Sequence, residues 1–427
     1  MPESEREFDV VLYGATGFTG QLTAGYLAAR ASGLRVALAG RNRAKLQAVR
    51  AELGRPGREW ALVIADSTDP ASLAAAARRT RLLVSAVGPY TQHGLGVVAA
   101  CARAGTDYAD LTAEPGFVRE SIRRYRDVAI GTGARIVHSC GFDAIPADLS
   151  VYALHRRVVA DGAGDLTNTT FVIRHAETSM SGGSLASAAE IFWTASTDPE
   201  LRRALSDPYT LTNNRAAEPD LGRQPDLRWR AGSRIAPELA GTWTAGFVVA
   251  PYDTRLVRYS NSLQNWSYGR GFRYSEALDM GSSPAAAVLS ALATAAGVAS
   301  LHVASRYLRL VPRSLLKRML PDPGTGPSEE LRDRGSYRIE TYTTTTTRAR
   351  YRTSIAQDGD PGYKSASVLL GESALALTLD RDRLTNQCGV LTPAAAIGDV
   401  LLERLPRAGV RIETTRLPDE LVDARLQ

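Results

Sequence analysis

An apolar run, Phe8 to Tyr13 (FDVVLY), leads without a break into Gly14-Ala15-Thr16-Gly17-Phe18-Thr19-Gly20, and a helical pattern follows as far as Arg30. Three glycines at this spacing, between a strand and a helix at the start of a βαβ unit, leave few folds open. Gly14 permits the tight turn, Gly17 lets backbone approach a pyrophosphate, and Gly20 lets the helix lie close on the strand. The helix N-terminus then offers unpaired N–H groups and the positive end of its dipole to phosphates. Thr16, Phe18 and Thr19 share the loop and join the glycines as candidate cofactor contacts.

The pattern repeats. Residues 34–39, 61–65, 81–86, 107–109 and 135–138 read as strands, with helices over 43–53, 70–78, 94–104 and 116–130. Short β-branched runs alternating with helices predict parallel strands joined by crossovers. The expected class is α/β: a doubly wound parallel Rossmann sheet over residues 1–145, in the order 3-2-1-4-5-6.

The second strand decides between dinucleotides. It ends in Leu38-Ala39-Gly40 and is followed by Arg41-Asn42-Arg43, with Lys45 close behind. Arg41 stands twenty-one residues after Gly20, where an NAD-selective chain places an acid for the ribose hydroxyls. A guanidinium there suits a 2′-phosphate, so NADP is the expected cofactor, with Asn42 beside it. Asp66, after the third strand, is either an adenine contact or the cap of the next helix. After the fourth strand Val87, Gly88 and Pro89 form a loop placed to run under the nicotinamide ribose. Tyr90 and His93 follow it and are the candidate catalytic proton donors; the alternative for both is packing.

No other catalytic constellation stands out. The chain lacks a GxSxG elbow, a phosphate-binding Lys loop and a CxxC pair. Its five histidines, His93, His138, His155, His175 and His302, make no zinc motif, so no metal is expected. Three cysteines cannot build a disulfide framework, and the N-terminus MPESEREFD is polar rather than a leader; both fit a reducing cytoplasm. The net charge is +6, with arginine supplying all but three of the 51 basic residues. That surplus serves solubility or attracts an acidic partner: a carrier protein, an anionic membrane or a phosphorylated ligand. No basic run carries the interleaved aromatics of a nucleic-acid groove.

The remainder is less regular and fits an α+β substrate domain over 146–360. Strands are expected at 167–178, 256–259 and 266–274, a helix at 183–197, and an extended surface region over 198–240. The β-branched stretch 336–355, with its run of five threonines, reads as two strands or one bent strand. Helices follow at 363–379 and 393–405. Residues 284–303 (PAAAVLSALATAAGVASLHV) are long enough to cross a bilayer, but alanine is only weakly lipophilic. A buried, close-packed helix is the first expectation. A helix on a membrane surface, with Arg306, Arg309, Arg313, Lys317 and Arg318 behind it, is the second, and a true span the third.

Taken together, VLYGATGFTG, LAGRN, SAVGPYTQHG, GTDYADLTAE, CGFDAIPAD, Gly359-Asp360-Pro361-Gly362-Tyr363 and GVLTPAAAIGDVLLERL resemble the saccharopine dehydrogenase-like oxidoreductases. Within them the chain looks most similar to the trans-acting enoyl reductases of actinobacterial polyketide lipid synthesis. The resemblance implies that C-terminal helices, 361–427, return to the Rossmann domain. It implies NADPH-dependent reduction of an α,β-double bond in a polyketide or fatty-acyl thioester during phthiocerol- or phenolphthiocerol-type lipid assembly. The partner so implied is an acyl thioester on a polyketide synthase carrier protein; the apolar helix and its basic flank, not the resemblance, add an expected peripheral contact at the inner face of the plasma membrane. A homo-dimer is compatible with it. Two other readings stay open: an NADP oxidoreductase of saccharopine type with another substrate, and a non-catalytic membrane-associated scaffold.

Overall fold

The computed structural model describes residues 6–177, 182–247, 249–312 and 326–418. Strands and helices alternate through the first third: β1 (Phe8–Tyr13), α1 (Phe18–Arg30), β2 (Val36–Gly40), α2 (Arg43–Glu52), β3 (Ala61–Ile64), α3 (Pro70–Arg78), β4 (Thr80–Ser85), α4 (Tyr90–Ala104), β5 (Asp107–Asp110), α5 (Pro115–Thr132), β6 (Arg135–Val137) and α6 (Ile145–Ala160). β1 and β2 are buried at every residue. This is why their sequences are unbroken apolar runs rather than alternations. Helix starts are set locally. Asn42 accepts from the Lys45 N–H at α2, and Asp69 accepts from the Ala71 N–H ahead of Pro70 at α3.

The second unit contains β7 (Leu166–Ala176), α7 (Gly182–Thr197), α8 (Pro199–Ser206), β8 (Arg230–Ala231), β9 (Trp243–Ala245), α9 (Ala250–Leu263), β10 (Arg273–Asp279), α10 (Pro284–Tyr307), α11 (Glu329–Arg334), β11 (Ser336–Thr345) and β12 (Arg350–Asp358). It is followed by α12 (Ala366–Leu379), β13 (Gly389–Leu391), α13 (Pro393–Arg407) and β14 (Arg411–Leu417). The first sheet has the order β13-β6-β5-β4-β1-β2-β3, and each of its pairs is parallel. This is the doubly wound sheet, extended by a seventh strand that comes from the far end of the chain. Three residues are too few to show a period, so β13 left no readable pattern in the sequence. The second sheet has the order β14-β12-β11-β7-β10-β9-β8 and is mixed, with β7 and β10 parallel.

The threonine run becomes the end of β11 and its turn. Thr343 bonds Thr169 across the β7 pair at 2.6 Å, and Thr341 donates to Ser150 of α6 at 2.8 Å. The last segment serves both sheets, because β13 pairs with β6 and β14 with β12. One core runs from Leu12 and Val84 through Leu149 and Leu154 of α6 to Ile339 and Leu401. A buried carboxyl fastens this junction. Asp148 accepts from the Ala394 N–H at 2.8 Å and from the Ser260 hydroxyl, and burial pushes its pKa up to about 6.

Four expectations need correction. Residues 256–259 are not a strand but the middle of α9. Every residue of that helix from Tyr252 to Ser262 is buried, the polar and charged ones included, so the short apolar run around Leu256 and Val257, read alone, passes for a strand. The strand expected at 266–274 begins at Arg273; Asn265 and Trp266 instead turn the chain with φ of 56° and 57°. Within 198–240 the chain forms α8, capped by Asp198. Finally, α10 is not a core helix. Only Ala286, Ser290 and Thr294 are buried, while Val288, Leu289, Leu292, Val298 and Val303 are at least half exposed. Its alanines suit a narrow packed stripe, and sequence cannot say whether more than one stripe is covered.

Candidate active site

The crevice for a ligand in a doubly wound sheet opens where strand order reverses, here between the C-terminal ends of β1 and β4. Both loops at this point are cut to fit. Gly14 has φ +86°, and a Cβ there would come within 2.5 Å of Val87. A Cβ on Gly20 would lie 2.1 Å from the Gly14 carbonyl oxygen. Gly17 differs: its nearest neighbour, the same oxygen, is 3.4 Å from a Cβ position, so space above it is free. Gly17 is also the N-cap of α1, with no side chain bonding the first turn. The helix therefore presents its leading N–H groups to the crevice, a cradle that suits a pyrophosphate.

Some loop residues serve the cradle by holding it. Phe18 turns its ring to Tyr363, edge-on at 5.1 Å, beneath the Arg332 guanidinium at 5.3 Å. Thr16 accepts from the Gln21 amide through its carbonyl at 3.1 Å, and Thr19 accepts from the Thr23 hydroxyl in the same way at 2.8 Å. Their side chains remain at the loop.

On the adenosine side, the ends of β1, β2 and β3 gather Tyr13, Arg41 and Asp66. Arg41 is exposed and makes no hydrogen bond among the described residues, and its charge reaches both Tyr13 and Asp66. A guanidinium held in that way fits a 2′-phosphate. Asn42 is corrected: its side-chain oxygen is spent on the α2 cap, 3.0 Å from Lys45 N. Asp66 does not cap α3; it accepts from the Thr68 N–H at 2.9 Å and hydroxyl at 2.8 Å, and these bonds hold its pKa below the usual range.

The two candidate proton donors also move, because α4 begins at Tyr90 and takes both into its first turn. His93 bonds Ser67 through Nδ1 at 3.2 Å, beside Asp66, on the adenosine side of the crevice rather than at the reacting ring. Tyr90 is 6% exposed; its hydroxyl donates to the Ser85 carbonyl at 3.0 Å and accepts from the Leu111 N–H at 3.2 Å. Burial, with Asp110 nearby, holds this phenol well above its usual pKa. A buried hydroxyl committed on both sides is a brace between loops, not a donor to a ligand.

The loops after β4, β5 and β6 bound the nicotinamide side. Pro89 caps α4 without a side-chain bond of its own, and Glu114 supplies the cap from the next loop. Its carboxylate accepts from the N–H groups of Tyr90 and Thr91, each at 2.8 Å, and from the Thr91 hydroxyl at 2.6 Å. Gly88 faces Ser187 of α7, which would lie 3.4 Å from a Cβ there. Behind Glu114 a cavity of 530 Å3 is lined on one side by Leu95, Phe117, Ile191, Leu201 and Leu205, and also by the charged Arg119, Glu120, Arg123, Asp198 and Glu200. Asp110 receives the Ser139 N–H at 2.9 Å and bonds His138 at 2.7 Å, whose other nitrogen meets Ser121 at 2.8 Å. These bonds hold Ser139 at φ 68°, a conformation rare for any residue but glycine. The chain then leads to Asp143. The residue as a whole is exposed, but protein crowds its carboxyl enough that desolvation raises its pKa, and it accepts no hydrogen bond among the described residues. Among the described carboxyls of these loops it is the one that accepts no hydrogen bond, and its CGFD setting was read in sequence only as a family mark.

Comparison with known proteins fits this geometry. Residues 10–137 match the family model described as the saccharopine dehydrogenase NADP-binding domain. A Mycobacterium tuberculosis protein, provisionally named a trans-acting enoyl reductase, is 59% identical over 98% of this chain and 100% of its own length. A trans-acting enoyl reductase of Mycobacterium bovis is 55% identical over 98% of this chain and all of its own. The chain belongs to the trans-acting enoyl reductase family. The apo saccharopine dehydrogenase (L-Glu forming) of Saccharomyces cerevisiae shares its fold, with TM-score 0.52 and 16% identity over 96% of this chain and 100% of that one. This member of the family is thus an NADP oxidoreductase, and the cradle and Arg41 fit the cofactor.

Two consequences can be measured. Arg41→Asp should weaken NADPH binding about 10- to 100-fold, the range for losing a charged hydrogen bond, and leave NADH binding nearly unchanged. Equal losses in a calorimetric titration would reject the 2′-phosphate contact. Tyr90→Phe should lower stability by about 1–3 kcal/mol, by leaving a buried N–H and carbonyl short of a partner. Turnover and its pH profile should stay as in the unmodified protein.

Proposed function

We propose that this protein reduces the α,β-double bond of an acyl thioester with NADPH, as a trans-acting partner of a polyketide synthase that assembles phthiocerol- or phenolphthiocerol-type lipids. The observation that carries this reading is the match to named trans-acting enoyl reductases along the full length of both chains. The unobstructed space above Gly17 supports a live cofactor site. The cofactor, when bound, supplies a hydride to the β-carbon. The protein's part is to hold the ring against the loops after β4, β5 and β6 and to return a proton to the α-carbon. Asp143, whose raised pKa keeps it an acid to higher pH than a free carboxyl, is the group proposed for that proton.

The leucines, Phe117 and Ile191 of the cavity behind Glu114 offer contact for part of an acyl chain, and the arginines and carboxylates that share its lining suit a polar portion of the substrate. A substrate of saccharopine type fits less well. Asp143 faces Asp253, which is itself pushed up by burial and by Glu276, Asp143 and Asp148. Kept in their neutral acid form by that burial, these carboxyls offer no charge to pair with the amino and carboxylate groups of such a substrate. The test is NADPH consumption by purified protein with an α,β-enoyl thioester, offered on N-acetylcysteamine, on coenzyme A and on a synthase carrier domain. Product with a saturated α,β-bond, formed fastest from the carrier, is the expected result. NADPH binding without reduction of any of the three would overturn the reading.

A further inference from the structure

α10 is built the wrong way round for a helix of a water-soluble surface. Its buried stripe, Ala286, Ser290 and Thr294, is small and partly polar. Trp229 donates its indole N–H to Ser290 at 3.0 Å, and the Gly246 N–H bonds Thr294 at 3.0 Å. The large apolar side chains stand on the other side. Val288 is 60% exposed, Leu292 62% and Val303 54%, with Leu289, Tyr307 and, just past the helix end, Leu310 completing the row. Steps of three, four and eleven residues keep them along one face, and the exposed Ala295, Ala296 and Ala299 bridge the gap between Leu292 and Val303. A continuous apolar strip of this kind is larger than the scattered exposed leucines of ordinary surfaces and marks a contact surface.

Charge selects the occupant. Between Asp279 and Asp322 the sequence contains no acid, while Arg306 and Arg309 are exposed at the C-terminal end of the strip. At the other end Trp229, stacked on Trp243 at 5.3 Å, holds the buried stripe of the helix to the protein and leaves the outward face uncovered. We propose that the outward face of α10 docks on an anionic lipid bilayer with the helix parallel to the membrane plane. A span is excluded by the packing: the Ser290–Thr294 stripe is bonded into the protein against β9 and α7, so only one side of the helix is free to enter lipid. The aliphatic row enters the acyl boundary and the two arginines meet anionic headgroups. Docking there does not depend on the reductase reading.

The experiment is sedimentation of the full chain with vesicles of phosphatidylcholine, with and without phosphatidylglycerol. The protein should bind the anionic vesicles, and about tenfold more weakly the neutral ones. Leu292→Glu and the pair Arg306→Glu with Arg309→Glu should each weaken anionic binding about tenfold or more. All three positions are exposed, so the thermal melt and NADPH affinity should match the unmodified protein. Equal sedimentation of Leu292→Glu, or none by the unmodified protein, would overturn the proposal. So would a two-chain mass by light scattering that Leu292→Glu halves in the absence of vesicle binding, because the face would then join two copies.

Discussion

Gly20→Ala should remove most NADPH binding. Its new methyl would sit 2.1 Å from the Gly14 carbonyl oxygen and 2.9 Å from the carbonyl carbon, and both are backbone. No side chain can rotate away, so either α1 lifts from β1 or the loop deforms. Overpacking of that kind costs about 1–3 kcal/mol, and here the strain falls on the atoms that form the cradle. The expected loss of NADPH affinity is about 100-fold, with a lower melting temperature. Gly17→Ala separates the two effects. Its methyl meets nothing closer than 3.4 Å, so the fold should melt as before, yet the methyl occupies the approach to the phosphates and NADPH binding should still fall. Calorimetric titration beside thermal melts checks both. If Gly20→Ala binds NADPH as well as the unmodified protein does, the loop is not the cofactor cradle.

Asp143→Asn should lower kcat about 100-fold or more, the usual loss for a general acid, and leave NADPH affinity unchanged. The amide keeps the size and removes the proton. The sign of the pH dependence follows from the direction of the shift. Burial raises the pKa of Asp143, so the acid form, and the activity that needs it, is complete below that raised value and is lost as pH rises through it. The alkaline limb of the kcat profile should therefore vanish in Asp143→Asn, leaving a low, flat rate. An unchanged kcat and limb would assign the proton to solvent or to another group.

The first half of the molecule was legible because its signals are local. Gly14, Gly17 and Gly20 mark a turn whose shape depends on residues within reach of one another, and β1 and β2 are buried on both faces, which any parallel strand inside a doubly wound sheet must be. The position of Arg41 was readable for the same reason: the end of β2 is a fixed distance along the chain from the glycine turn. The proton donors were not. Tyr90 and His93 follow the right loop, but their roles depend on Ser85, Leu111 and Ser67, which reach them only across the packed sheet and helices. Asp143 shows the converse, since nothing in its neighbours along the chain announces a carboxyl crowded by protein yet without a hydrogen-bond partner among the described residues.

By itself, then, the sequence determined the doubly wound sheet, the phosphate turn and the preference for a 2′-phosphate, all of which rest on spacing along one βαβ stretch. Tertiary structure alone decided that β13 and β14 join different sheets, that Tyr90 is buried as a brace between loops, and that α10 turns its leucines outward. Each of these depends on which distant surface covers a given face. A helix or strand writes its period into the sequence, but not the identity of what packs against it.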